Sequence, residues 1–115
     1  MAEQFNVDDL TIAPGVVETI LALAVADVPG VARLGSPKVR DSILSSKRRP
    51  DAQGILILAE SGQIYVDVHL QAYYGYQLQE VAAHVRTVVS ETLSGQIGVG
   101  VAGVDVYIDG ITFPE

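Results

Sequence analysis

A chain of 115 residues is long enough for one hydrophobic core and too short for two. Its 49% hydrophobic content does not amount to a membrane span, because the longest apolar run, TILALAVA, is bracketed by Glu18 and Asp27 and falls well short of the roughly 20 residues that cross a bilayer. The absence of cysteine rules out disulfides and thiolate chemistry, and the net charge of −7 is unevenly spread: Arg33, Lys38, Arg40, Lys47, Arg48 and Arg49 against Asp41 give residues 33–49 a net +5 and leave −12 for the remainder.

Acidic residues open the chain where a signal peptide would be basic, so a cytoplasmic protein is expected. Residues 1–7 read as a disordered lead-in and 8–113 as a single domain. Leu10 and Ile12 alternate with Asp9 and Thr11 as a short strand. A helix follows, with Pro14 suited to its first position and Ile12 placed to staple onto Val17. Val17, Ile20, Leu21, Ala24 and Val28 form its buried stripe, and Pro29-Gly30 stops it.

Periodicity is lost from Gly35 to Gly54. Within this basic loop, residues 36–53, SPKVRDSIL is suited to one or two helical turns capped by Ser36, with Pro37 at the first position and Val39 and Ile43 on one face. SSKRRPDAQG reads as a mobile loop. GILILAE then meets the next strand through Ser61-Gly62, the signature of a β-hairpin.

The most informative stretch is residues 63–93. Ile64, Val66, Val68, Leu70 and Ala72 alternate with Tyr65, Asp67, His69, Gln71 and Tyr73, which is a strand with one buried face. After Gly75 the apolar residues are Leu78, Val81, Ala82, Val85, Val88, Val89 and Leu93, three and four apart, which is one stripe of a helix. Gln77 is a weak cap for it, Glu80 is placed to reach back to the open N–H groups, Tyr76 to staple onto Val81, and Gly95 to end it in the left-handed region. In the last strand Ala102, Val104, Val106 and Ile108 face in, while Asp105, Tyr107 and Asp109 face out. The element order β-α-β-β-α-β predicts an α+β two-layer sandwich, with two helices on one face of a mostly antiparallel sheet.

No motif supplies a reaction centre. Gly98, Gly100 and Gly103 match a dinucleotide-binding spacing, but they follow a helix and enter a strand, the reverse of what a bound pyrophosphate needs. His69 and His84 show no metal-ligand spacing, and His84 reads as an exposed helix position. His69 shares the outward face of its strand with Asp67, and Asp105, Tyr107 and Asp109 are candidates for the same face. An acid–base pair and a face that is solvated or covered by a partner both fit that pattern. Tyr65, Tyr73 and Tyr107 put aromatic rings there, as at protein interfaces and on ordinary half-exposed sheets.

LTIAPGVVETILALAVADVPGVARL, QIYVDVHLQAYYGYQLQEVAAHVRTVVSETLSG and GVDVYIDGITF together resemble the alkaline shock protein family of envelope stress response proteins, over about Asp9 to Phe113. The most specific pieces are IAP, VPGVARL, YYGYQLQEVA and VDVYIDGI; residues 36–53 correspond to a region variable in that family, and Gln77-Leu78-Gln79 departs from its commoner small-polar, apolar, proline run. The resemblance implies a non-enzymatic cytoplasmic protein, peripheral at the inner face of the membrane. It would self-associate and bind a membrane-anchored protein partner, with no catalytic residues to carry over; no cofactor-binding or metal residues are expected. A lipid- or small-ligand-binding accessory module linked to fatty-acid metabolism is the alternative it implies.

Tyr65, Asp67, His69, Tyr73 and Tyr107 on the sheet, and Lys47, Arg48 and Arg49 in the basic loop, are the candidate interaction residues. Nucleic acid is not expected as a partner, because a body at −12 repels phosphate within about a Debye length of 10 Å.

Overall fold

The computed structural model describes residues 5–7, 10–12, 15–35 and 54–113. The elements are β1 (Phe5–Val7), β2 (Leu10–Ile12), α1 (Val16–Ala26), β3 (Val31–Leu34), β4 (Ile55–Glu60), β5 (Gln63–Tyr73), α2 (Leu78–Thr92), which continues into a π-turn at Leu93–Ile97, and β6 (Gly103–Thr112). The fold is α+β, with both helices packed against a four-stranded, mostly antiparallel sheet, as the element pattern predicts.

β5 is the central strand because it is long enough to pair with three others. β6 runs parallel along one side of it from Tyr65↔Gly103 to Tyr73↔Thr112. The other side is shared: β4 pairs antiparallel with Gln63–Val68, and β3 with Leu70–Ala72. β3 and β4 therefore form one interrupted edge strand, and the interruption falls opposite His69. The Gly35 N–H donates to the His69 carbonyl at 2.7 Å and the His69 N–H donates to the Gly54 carbonyl at 2.8 Å, so both backbone groups of His69 are satisfied across the break. Residues 36–53 leave and return at this point.

The β4–β5 turn is the predicted hairpin. Ser61 (φ 53°) and Gly62 (φ 77°) both lie in the left-handed region, as a two-residue turn matching strand twist requires. The separate ribbon of β1 and β2 pairs Phe5↔Ile12 through Val7↔Leu10, so the predicted strand at Leu10–Ile12 belongs to this ribbon and not to the main sheet. Phe5–Val7, read from sequence as part of the lead-in, is its other strand. β3 arises where the sequence suggested only a helix exit.

Alternation on β5 separates the two faces as expected: Val66, Val68, Leu70 and Ala72 are fully buried beneath the helices. On α2 the buried line is Val81, Val85, Val89 and Thr92, continued by Leu93, while Leu78 is exposed. On α1 it is Val17, Glu18, Leu21, Ala22 and Val25, extended by Val28. That line is rotated from the predicted one: Ala22 and Val25 are buried where Ala24 was expected, and Ile20 is only partly covered. The rotation carries Glu18 inward, where its Oε1 has no hydrogen-bond partner among the described residues.

The helix ends also differ from expectation in part. Gln77 caps α2 through its backbone, its carbonyl accepting from the Glu80 and Val81 N–H groups at 3.1 Å each, with no side-chain cap bond. The left-handed C-terminal residue is Gly98 (φ 90°), not Gly95, because the π-turn carries the chain one turn further before the Gly98 N–H closes on the Leu93 carbonyl at 2.8 Å. Residues 99–102 then lead directly into β6, so the glycine-rich stretch is a helix-to-strand connection. Pro14 and the Ser36-Pro37 turns lie outside the described residues.

Candidate interaction surface

The sheet face away from the helices can be mapped from register. Across β6, β5 and the broken edge strand, its rows are Gly103, Tyr65 and Leu58, then Asp105, Asp67 and Leu56. The middle row is Tyr107 and His69, ending at the Gly35/Gly54 junction. Beyond it lie Gly110, Gln71 and Arg33, then Thr112 and Tyr73. No described helix covers this face. Most of its apolar and aromatic members are well exposed, Leu56 44%, Leu58 46%, Tyr65 37% and Tyr107 43%, while Tyr73 is half-buried.

At the centre three side chains form one cluster. The His69 Nδ1 lies 2.7 Å from Asp109 Oδ2, and the His69 ring stacks on Tyr107 with centroids 4.5 Å apart and planes 7° from parallel. A bulge makes this contact: the register passes from Leu70↔Ile108 to Gln71↔Gly110, so Asp109 is the extra residue on β6 and its carboxylate swings toward β5. With the Nδ1–H donating to the carboxylate, the neutral ring keeps Nε2 as an acceptor. Both partners remain about one-third exposed, at 34% and 29% of side-chain area. In that solvent-screened setting the pair orients the imidazole more than it stabilises the fold.

Tyr65, Asp67, His69, Tyr73 and Tyr107 thus share one face, and His69 and Tyr107 are in direct contact. The Tyr65 hydroxyl donates to Gln63 Oε1 at 3.1 Å. Lys47, Arg48 and Arg49 lie outside the described residues. Sequence reasoning missed Leu56 and Leu58, whose β4 strand reads as an unbroken apolar run up to Glu60; only pairing with β5 shows which of its residues turn outward. It had grouped Asp109 with this face, but the bond to His69 depends on the bulge, which alternation does not reveal. His84 is exposed on α2, as expected. Among the described residues no group of three His, Cys, Asp or Glu side chains is placed to hold a metal ion, and no helix is long and apolar enough to cross a membrane.

The model of the alkaline shock protein 23 family, described by a cell envelope-related function, matches residues 2–113. The chain belongs to this family. Similar relatives include the uncharacterized protein YloU of Bacillus subtilis, 27% identical over 89% of this chain and 87% of the relative, and YqhY of the same organism, 27% identical over 96% and 82%. Spy1535 of Streptococcus pyogenes is 24% identical over 91% of this chain and 80% of its own length. A solved structure, "MamM CTD H264E - Zinc form 2", superposes over 86% of this family member at a TM-score of 0.46 and 15% identity.

Proposed function

We propose that the chain is a non-enzymatic protein of the cytoplasmic side of the cell envelope, peripheral to the membrane, which works by self-association and by binding a membrane-anchored partner. The observation that carries this reading is the open sheet face, where Leu56, Leu58, Tyr65 and Tyr107 lie exposed beside an oriented imidazole. Half-exposed aliphatic and aromatic side chains around a polar centre are the chemistry of a protein contact. Membership of an envelope-related family supplies the setting.

In this reading Leu56, Leu58, Tyr65 and Tyr107 supply apolar contact, while Asp67, Asp105 and the His69–Asp109 pair fix orientation. The net +5 of residues 33–49 complements the −12 of the rest, so Lys47, Arg48 and Arg49 of one copy meet the acidic body of a neighbour. Such a contact is head-to-tail, which can propagate as an open chain instead of closing as a dimer. The lipid- or ligand-binding alternative draws no support from the comparisons.

Sedimentation velocity on the wild type and on Leu58→Ser/Tyr107→Ser tests the reading. Concentration-dependent growth in mass that the double substitution removes is expected. A wild-type chain that stays monomeric at high concentration, and is absent from the envelope fraction of its native cell, ends the proposal.

A further inference from the structure

The two edges of the sheet are finished differently. At one, Val31, Ile55 and Ile57 are buried, with α1 packed over β3 and β4. At the other, Val104, Val106 and Ile108 are only partly buried, although their register partners Val66, Val68 and Leu70 on the neighbouring strand are 0% exposed. α2 packs on β6 but leaves Val104, Val106 and Ile108 partly exposed, so the apolar layer is unfinished at this edge. Among the described residues no strand pairs with the outer edge of β6, a strand of 10 residues. A bare edge of this kind offers unpaired N–H and C=O groups. On its other face the same strand carries Asp105 and Asp109 on either side of Tyr107, all exposed.

We propose that the outer edge of β6 binds an extended cationic segment of a partner protein, which adds to the sheet as a further strand. Main-chain hydrogen bonds supply affinity, alternate apolar residues slide under α2 to complete the row of Val104, Val106 and Ile108, and the intervening Lys or Arg residues lie over Asp105 and Asp109. The bulge at Asp109 breaks the regular edge, so the segment pairs chiefly with Gly103–Ile108. Asp109 already bonds His69, which leaves Asp105 as the principal anchor.

Charge selects this occupant over the β6 strand of a second copy. Antiparallel pairing about Tyr107 would set each Asp105 opposite the other copy's Asp109. Pairing about Val106 would bring the two Asp105 side chains onto the diagonal, within reach of each other. Like charges so placed are destabilising. The site therefore takes a partner different from a second β6; its cationic side chains lie over Asp105 on the open face, so it competes with self-association there and is tested at protein concentrations where the chain is monomeric.

The test uses the full chain and a fluorescein-labelled seven-residue peptide alternating lysine and valine, beside a peptide of the same composition with its lysines grouped. Fluorescence anisotropy at low salt reads binding, and amide hydrogen exchange reads where it occurs. The expected result is preferential binding of the alternating peptide, slowed exchange within Gly103–Ile108, and a weakening of up to about fivefold for Asp105→Asn. With the chain monomeric, failure of the alternating peptide to bind, equal binding of the two peptides, or unchanged exchange in β6 would overturn the proposal.

Discussion

The backbone nitrogen of Gly35 occupies the place that any side chain on Gly54 would need. A Cβ built on Gly54 stands 2.5 Å from that nitrogen and 2.6 Å from the His69 carbonyl oxygen, at a φ of +88°. Gly54→Ala therefore adds a clash with main chain to left-handed strain, a cost of about 2–4 kcal/mol. Gly62 has a φ of +77° but nothing within 4 Å, so Gly62→Ala carries the strain alone, about 1–2 kcal/mol. Urea unfolding of the two variants should rank Gly54→Ala clearly the less stable; equal midpoints would mean that the junction relaxes.

Val68 and Val85 face each other's layers, one on β5 and one on α2, and both are fully buried. An aspartate at either site puts an unpaired carboxylate between helix and sheet, at a cost of at least about 3 kcal/mol, enough to unfold many domains. Circular dichroism melts of Val68→Asp and Val85→Asp should show loss of the folded state or a steep fall in Tm, while Ala83→Asp, at an exposed α2 position, should melt near wild type. A buried variant within a couple of degrees of wild type would contradict the assigned faces.

Gln77 offers α2 no side-chain cap, although its backbone (φ −74°, ψ 115°) is in the extended region that capping residues adopt. Gln77→Ser or Gln77→Asp should raise stability by about 1 kcal/mol by bonding one of the open N–H groups of the first turn. The check is a denaturant midpoint shifted upward with an unchanged slope; no shift would show that the helix start is already satisfied.

For the basic residues, the expected outcome is selective. Replacing Lys47, Arg48 and Arg49 with serine should leave the melting curve unchanged and reduce self-association at low salt. Sedimentation velocity without lipid reads this directly. Identical mass distributions for variant and wild type would remove docking between copies through these basic residues, and binding to anionic vesicles would be measured next.

Legibility followed the length of each pattern. The switch from β5 to α2 was readable because eleven strand residues and fifteen helical ones give each period room to repeat. β3 has only four residues, too few to show alternation beside a proline-glycine stop. The phase of α1 is hard to read because the helix buries a charged residue, Glu18, and Ala22 and Val25 follow it inward. Strand spacing carries no information on partners, so neither the parallel pairing of β6 nor the shared edge of β3 and β4 could be read. At the candidate surface, alternation placed Tyr65, Asp67, His69 and Tyr107 together, whereas the His69–Asp109 bond required the bulge.

The junction opposite His69 gives the fold a point at which length is nearly free. Because Gly35 and Gly54 are held side by side by the backbone of β5, the sheet is indifferent to how much chain joins them. Doubling the length of that connection adds only about 0.6 kcal/mol of closure entropy. A lineage can lengthen, shorten or recharge this stretch while the hydrogen bonds among the described strands persist, so binding specificity can change there at little cost to folding.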